Sequence, residues 1–216
     1  MQTEACIIVL AAGSGSRFRG KGQKLAQSLA SDSVLGLTLA HALATQLPVV
    51  VVVTEALAPL ARTLVAARDV VVMPEVGSQP GLGMGTSIAA GVGARPQADG
   101  WLVLPGDMPL VRPATLLAVA RELPCHAIVY AQRAGRRGHP VGFSAELFSE
   151  LTQLSGDEGA RRLVASYPAH GVEVDDPGVL IDVDTVEDVV RLRRQFDQLD
   201  SAPLLAGPAA DGGRAA

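Results

Sequence analysis

CIIVLAAGSGSRFRGKGQKL, residues 6–25, joins an apolar run to a turn of very small residues and then to four cations. Cys6 to Leu10 has the short, apolar composition of a buried β-strand. Ala11 to Ser16 follow, and side chains this small let a ligand approach the backbone. Backbone N–H groups exposed in such a turn form an anion-binding nest, while Arg17, Arg19, Lys21 and Lys24 add charge and donors suited to phosphate oxygens. The stretch reads as a polyphosphate cradle, with a solvated basic loop as the plainer alternative. Two common glycine-rich templates fail. The dinucleotide fingerprint begins at Gly13-Ser14-Gly15 but meets Phe18 at its third glycine, and the P-loop pattern from Gly15 to Lys21 meets Gly22 where a metal-binding Ser or Thr is needed.

Outward from this stretch, strand and helix signals alternate. Apolar residues recur at helical spacing from Val34 to Leu47 until Pro48 stops them, and Val49 to Val53 is an unbroken β-branched run, as in a strand covered on both faces. Residues 55–67 read as a second helix, Val70 to Met73 and Trp101 to Leu104 as strands, 113–122 as a helix and Cys125 to Ala131 as a strand. Val172 to Val174 and Val179 to Val183 are expected to be the last strands, before a helix from about Val186 to Leu199. This order predicts an α/β fold with a mostly parallel central sheet. Composition agrees: hydrophobic residues make up 48% and aromatics only 3%, so Val, Leu and Ala must fill the core, which suits helices packed on a parallel sheet. With no internal repeat or mid-chain linker, one domain is expected over residues 3–199, and residues 200–216, rich in Ala, Gly and Pro, as a disordered tail.

Bulk charge narrows the function. Lysine plus arginine total 18 against 22 acidic residues, a formal charge of -4, so general nucleic-acid binding is not expected. Cys6 and Cys125 lie in apolar runs without C-x-x-C spacing and read as buried, reduced thiols. Glu4 stands where a secretory peptide would need basic residues, and the apolar run after it is too short to span a membrane, so a cytoplasmic location is expected.

Polar motifs punctuate this frame. Gly81 to Ser87 opens a helix, where unpaired N–H groups and hydroxyls serve either a ligand or simple capping. Asp107, in Pro105-Gly106-Asp107-Met108-Pro109, follows a central strand at the edge where open α/β sheets bind ligands, although Asp is also a turn former. Arg133 to Phe143 reads as a polar, basic loop followed by a short apolar run. Gly156 to Arg162 is expected to open a helix with Asp157 and Glu158 in its first turn, favoured by the helix dipole. Alternation along the expected last strand puts Asp182 and Asp184 on one side, and Thr185 or Asp184 can cap the helix that follows.

The motif Leu10-Ala11-Ala12-Gly13-Ser14, with Ser16-Arg17-Phe18 and a following lysine, resembles the signature loop of nucleotidyltransferases with a Rossmann-like fold. The likeness is strongest to the molybdenum-cofactor cytidylyltransferases and their guanylyltransferase relatives. It implies a three-layer α/β sandwich of the nucleotide-diphospho-sugar transferase type. By the resemblance, Leu10, Ala11, Ala12, Gly13, Ser14, Gly15 and Gly106 bind the nucleotide, and Ser87, in the pattern Gly83-x-x-x-Ser87-Ile88-x-x-Gly91, contacts the base. Arg17, Lys24 and Asp107 are the implied catalytic residues; Lys24 stands farther from Arg17 than the family's lysine does, and Lys21 nearer, so both stay open for the phosphates. Asp107 with Asp182 or Asp184, in Ile181-Asp182-Val183-Asp184-Thr185, would hold Mg²⁺, with Asp182 ranked first. Gly138, His139 and Pro140, in Arg137-Gly138-His139-Pro140-Val141, and Asp157, in Gly156-Asp157-Glu158-Gly159-Ala160-Arg161, resemble acceptor-side segments.

The implied reaction is attack by an acceptor phosphate on the α-phosphorus of a nucleoside triphosphate, with release of pyrophosphate. Ala12 in the Ala-Ala-Gly loop points by resemblance to CTP, with molybdopterin as acceptor and a molybdenum hydroxylase or its chaperone as recipient of the product. Transfer to a sugar or alditol phosphate, use of GTP, and a catalytically silent nucleotide-binding delivery protein are the alternatives.

Overall fold

The computed structural model describes residues 4–13, 18, 20, 22–29, 32–74 and 83–200, with the backbone alone for 195–200. The expectations placed on Ser14, Gly15, Arg17, Arg19, Lys21 and the tail from Ser201 lie outside these residues.

Strand β1 (Cys6–Ala11) is followed by a two-residue ladder of β2 (Ser28–Leu29) and β3 (Asp32–Ser33), then by α1 (Val34–Ala44), β4 (Val49–Thr54), α2 (Ala58–Leu64) and β5 (Val70–Met73). Helix α3 (Met84–Gly93), β6 (Gly100–Pro105), α4 (Pro113–Glu122), β7 (Ile128–Arg133) and β8 (Arg136–Ser144) come next, and α5 (Phe148–Thr152), α6 (Arg161–Ser166), β9 (Ala169–Glu173) and α7 (Val186–Asp200) complete the order. Seven strands form one sheet in the order β5-β4-β1-β6-β8-β7-β9. Every pair is parallel except those of β8, which runs against both β6 and β7. The expected mostly parallel α/β sandwich is the architecture found.

Alternation along the strands builds both cores. Ile7, Val9 and Ala11 of β1 face α1, α2, α4 and α7 together with Val51, Val53, Leu102 and Leu104, whereas Cys6 and Ile8 face α3, α5 and α6 with Val50, Val52, Trp101 and Phe143. Full burial of a Val, Leu or Ile side chain contributes about 1.5–3 kcal/mol, so β1 and β4, sealed on both sides, anchor the sheet. At Gly91 a side chain would run into Ile8 and Val52, so its absence lets α3 press close to the sheet.

The chain moves from β1 outward to β4 and β5, then α3 carries it back across the other face to β6, on the opposite side of β1. The carboxyl ends of β1 and β6 thus flank the point where strand order reverses, the ligand position of open α/β sheets. Gly106 N–H donates to the Leu10 carbonyl at 2.8 Å and locks the two ends together.

Several local expectations are corrected. Residues 179–183 are not a strand: the chain passes through a 3-10 turn at Pro177–Leu180 and then runs extended without sheet pairing. Asp176 dictates this, because its buried carboxylate accepts from Arg112 N–H at 2.9 Å, Thr115 Oγ1–H at 2.7 Å and Gly178 N–H at 2.9 Å, pinning the segment beside α4. The basic stretch expected as a loop is β8, joined to β7 by a turn at Ala134 and Gly135, both at positive φ. Helix α6 starts at Arg161, so Asp157 and Glu158 lie in the turn before it. Cys6 is buried, but Cys125 is exposed, because β7 begins only at Ile128.

Helix α7 begins with a reciprocal cap. Thr185 Oγ1 accepts from Asp188 N–H at 3.1 Å, and Asp188 Oδ2 accepts from Thr185 N–H at 2.9 Å, a capping box with Asp in the third helical position. Thr185→Ala is expected to lower stability by about 1 kcal/mol in denaturant unfolding; an unchanged midpoint would show that the box carries no weight.

Candidate active site

Asp107 projects from the turn after β6. Thr38 Oγ1–H of α1 donates to the Gly106 carbonyl at 3.0 Å and Met108 N–H to the Pro105 carbonyl at 3.3 Å, so the turn is held from both sides. Val183 N–H donates to the Asp107 carbonyl at 2.9 Å, stitching the 182–184 segment to that turn. The capping box fixes the far end, where Asp184 N–H donates to Asp188 Oδ2 at 3.2 Å. Asp107, Asp182 and Asp184 are therefore gathered by backbone hydrogen bonds, without the strand alternation expected of them.

Lys24 opens a 3-10 turn (Lys24–Ala26) anchored by the buried Leu25. Arg193 of α7 donates to the Ser28 carbonyl at 2.7 Å and so ties this region to the helix that starts beside Asp184. The Lys24 ammonium reaches Asp107 Oδ2 at 2.6 Å and Asp184 Oδ1 at 3.1 Å, with side-chain exposures of only 12%, 20% and 15% for the three residues. Burial works against its charge, but the two carboxylates outweigh burial and raise its pKa above the ordinary lysine value. Asp182 shows the reverse stress: burial first, then the charges of Asp184 and Asp107, raise its pKa. Lys24 pairs with Asp107 and Asp184 while Asp182 adds a third acidic group beside them, so negative charge is left uncompensated, and the hard oxygen donors suit a Mg²⁺- or Mn²⁺-type cation.

Two cavities meet at Asp107. One, of about 330 Å³, is lined by Gly13, Phe18, Gln23, Lys24, Leu57 and Asp107. The other, of about 250 Å³, is lined by Ala12, Gly13, Met84, Ser87, Pro105 and Asp157 and also reaches Asp107. Leu10 and Gly13 belong to both walls, whereas Ala11 belongs to the first. Ser87 is buried, and its hydroxyl donates to the Gly83 carbonyl within its own helix at 3.2 Å, while Gly85 N–H donates to the Gly156 carbonyl at 2.8 Å. That last bond draws the 156–157 turn onto the start of α3, so Asp157 stands with Ala12 and Ser87. The walls of neither cavity include Gly138, His139 or Pro140.

Strand β8 carries those three residues. A side chain at Gly138 would collide with the Val179 backbone, which explains the glycine where the 177–180 turn crosses the strand. The β6–β8 register pairs Val103 with Val141 and so sets His139 near the end of β6. Burial pushes the His139 pKa down despite the opposing charge of Asp107, and its Nδ1 is buried without a hydrogen-bond partner. Sequence reasoning missed the organising role of Asp176, although Asp176-Pro177 carries the signal of a cap followed by proline in a first turn. It also missed Phe18 and Leu57 on the first cavity, whose apolar character gave no functional cue.

Residues 7–172 match the family described as MobA-like NTP transferase domain. The chain is 31% identical over 205 residues to the purine catabolism protein PucB of Bacillus subtilis, covering 87% of this chain and 95% of that protein. Among solved structures, Rv0371c of Mycobacterium tuberculosis is 31% identical with a TM-score of 0.77 over 90% of this chain and 99% of that one, and its manganese complex is 30% identical with a TM-score of 0.74, covering 90% and 100%. Molybdopterin-guanine dinucleotide biosynthesis protein A of Archaeoglobus fulgidus shares the fold, with a TM-score of 0.65 at 16% identity, covering 89% of this chain and 99% of that one.

The charge balance has a direct consequence. Lys24→Ala should lower the melting temperature in a chelator, because two half-buried carboxylates lose their shared cation, and millimolar Mg²⁺ or Mn²⁺ should restore it; a melting temperature that ignores both changes would contradict this reading.

Proposed function

The chain belongs to the MobA-like NTP transferase domain family and is a nucleotidyltransferase, and we propose that it transfers CMP from CTP to the terminal phosphate of a molybdopterin-type cofactor. The observation that supports this most is the meeting of two cavities at Asp107, one beside Lys24 and the other beside Ala12 and Ser87. A nucleotide laid across this junction places its base in the smaller cavity and its phosphates against Gly13 and the charged cluster. The Ala12 methyl group narrows the base side, as the family's cytidylyltransferase loop does.

The acceptor phosphate, with a second pKa of about 6, is ionised at neutral pH and needs no protein base. Catalysis then rests on positioning and charge neutralisation. Asp107 with Asp182 or Asp184 would hold Mg²⁺, which supplies neutralisation and polarisation of triphosphate oxygens. Mn²⁺ is the ion named for the similar Rv0371c complex. With Asp107 and Asp184 engaged in holding a divalent ion, the Lys24 ammonium would be available to the pyrophosphate that departs, and Arg17 would share that task. Backbone amides of the stretch Ala12 to Gly15, whose side chains are all small, would cradle the triphosphate. His139, kept neutral by burial, is assigned with Gly138 and Pro140 to the acceptor side by the likeness of Arg137-Gly138-His139-Pro140-Val141 to the family's acceptor segment. Asp157 contributes from the turn beside α3. Delivery of the product to a molybdenum hydroxylase or its chaperone completes the reading.

Pyrophosphate release, followed with each of the four NTPs, Mg²⁺ and candidate acceptors, tests it. CTP with molybdopterin should be fastest, and Asp107→Asn should slow it at least about a hundredfold, as loss of a key transition-state electrostatic contact does. A preference for a sugar phosphate would overturn the acceptor, and a preference for GTP the base. Ala12→Gly should raise GTP use relative to CTP in the same assay.

A further inference from the structure

Away from the nucleotide site, at the amino ends of β7 and β9, lies a second group of metal-ligating side chains. Glu122 is the last residue of α4, His126 follows in the turn before β7, and His170 is the second residue of β9, where the parallel register pairs it with Val129. One donor atom from each of the three lies within 4.8 Å of the other two. The imidazoles of His126 and His170 are stacked, with ring centroids 4.1 Å apart and planes 5° from parallel, and His126 Nε2 stands 3.8 Å from Glu122 Oε2. Ile128 and Trp101 both face Phe143 across β8, so this end of the sheet is the one opposite Asp107.

We propose that Glu122, His126 and His170 form a site for a borderline first-row transition-metal cation, with Zn²⁺ as its natural occupant. Two imidazoles and one carboxylate form a donor set that favours zinc over Mg²⁺, whereas the all-carboxylate cluster at Asp107 has the opposite preference. Tetrahedral zinc with bonds of about 2.0–2.1 Å holds its donors about 3.3 Å apart, so the present group must close by about 1.5 Å. Rotation of the imidazoles supplies the closure. The exposed His170 has room to turn, and turning out of the parallel stack aims both in-plane lone pairs at one ion. The fourth position stays open to water or to an outside donor. His126 also lines a cavity of about 310 Å³ with Cys125 and Glu146, which gives the ion a path from solvent.

Such an ion would join the edge strand β9 to the turn between α4 and β7, two elements that the nucleotidyl-transfer reading leaves without a task. The site is independent of that reading, since none of its residues lines either nucleotide cavity.

Calorimetric titration of the full chain, free of any polyhistidine tag, with Zn²⁺ in millimolar Mg²⁺ tests the proposal. The expected result is one saturable zinc per chain, lost in both His126→Ala and His170→Ala and kept in Asp107→Asn, together with a zinc-dependent rise in melting temperature in the wild type that the double histidine variant lacks. Circular dichroism of the metal-free variants checks that they fold as the wild type does, and Glu122→Gln, which keeps the shape of the side chain, should weaken zinc binding even if an alanine variant unfolds. No saturable zinc in the wild type, or zinc retained by the double histidine variant, would overturn the site.

Discussion

The Lys24 ammonium, held between the carboxylates of Asp107 and Asp184, is the contact on which the rest of the site depends. Three acidic side chains brought this close would repel one another, and the pKa of Asp182 is raised by burial first and by its acidic neighbours after it. A single lysine offsets part of the charge. The remainder is charge that the divalent cation of the proposed reaction would offset, so the same imbalance that weighs on the folded chain would serve a metal-bound triphosphate. A neutral cluster would be more comfortable, but it would have nothing with which to hold that cation.

The fold makes this tension tolerable by drawing on rigid parts. β1 and β4 are sealed between two apolar layers, and the turn bearing Asp107 is bonded to the end of β1 and to α1. The acidic segment is pinned by Asp176 on one side and by the Thr185–Asp188 box on the other. Reversal of β8 serves a different purpose: it returns the chain toward the end of β6 and so brings His139 within the field of Asp107. Carboxylates supplied by distant stretches of sequence are thus gathered by hydrogen bonds made at their own backbone, with side chains such as Asp176, Asp188 and Arg193 fixing the flanks.

What could be read in the sequence follows from this division. β4 was legible because five consecutive valines leave no face for solvent, and α4 because its periodicity begins at Pro113, a residue suited to a first helical turn. Asp107 was legible from its place after a central strand. Val179 to Val183 misled, since the apolar run that looked like a strand enters the core unpaired, pinned by the hydrogen bonds of Asp176 and by its close passage over Gly138, contacts between residues far apart in sequence. Arg136 and Arg137 made β8 look like a loop, because the basic start of that strand is exposed and only its later residues enter the core. Asp157, an acceptor residue by resemblance, is set beside Ser87 by the bond from Gly85 to Gly156, a pairing that no local pattern encodes.

The central claim is that one nucleotide spans the junction at Asp107, and a crystal structure with a non-hydrolysable CTP analogue and Mg²⁺ tests it most directly. The account predicts cytosine against Ala12 and Ser87, phosphates along Gly13, and the metal on Asp107 with Asp182 or Asp184, with Lys24 moved from the carboxylates to a phosphate oxygen. A triphosphate bound elsewhere, or a metal that leaves Asp107 untouched, would contradict it.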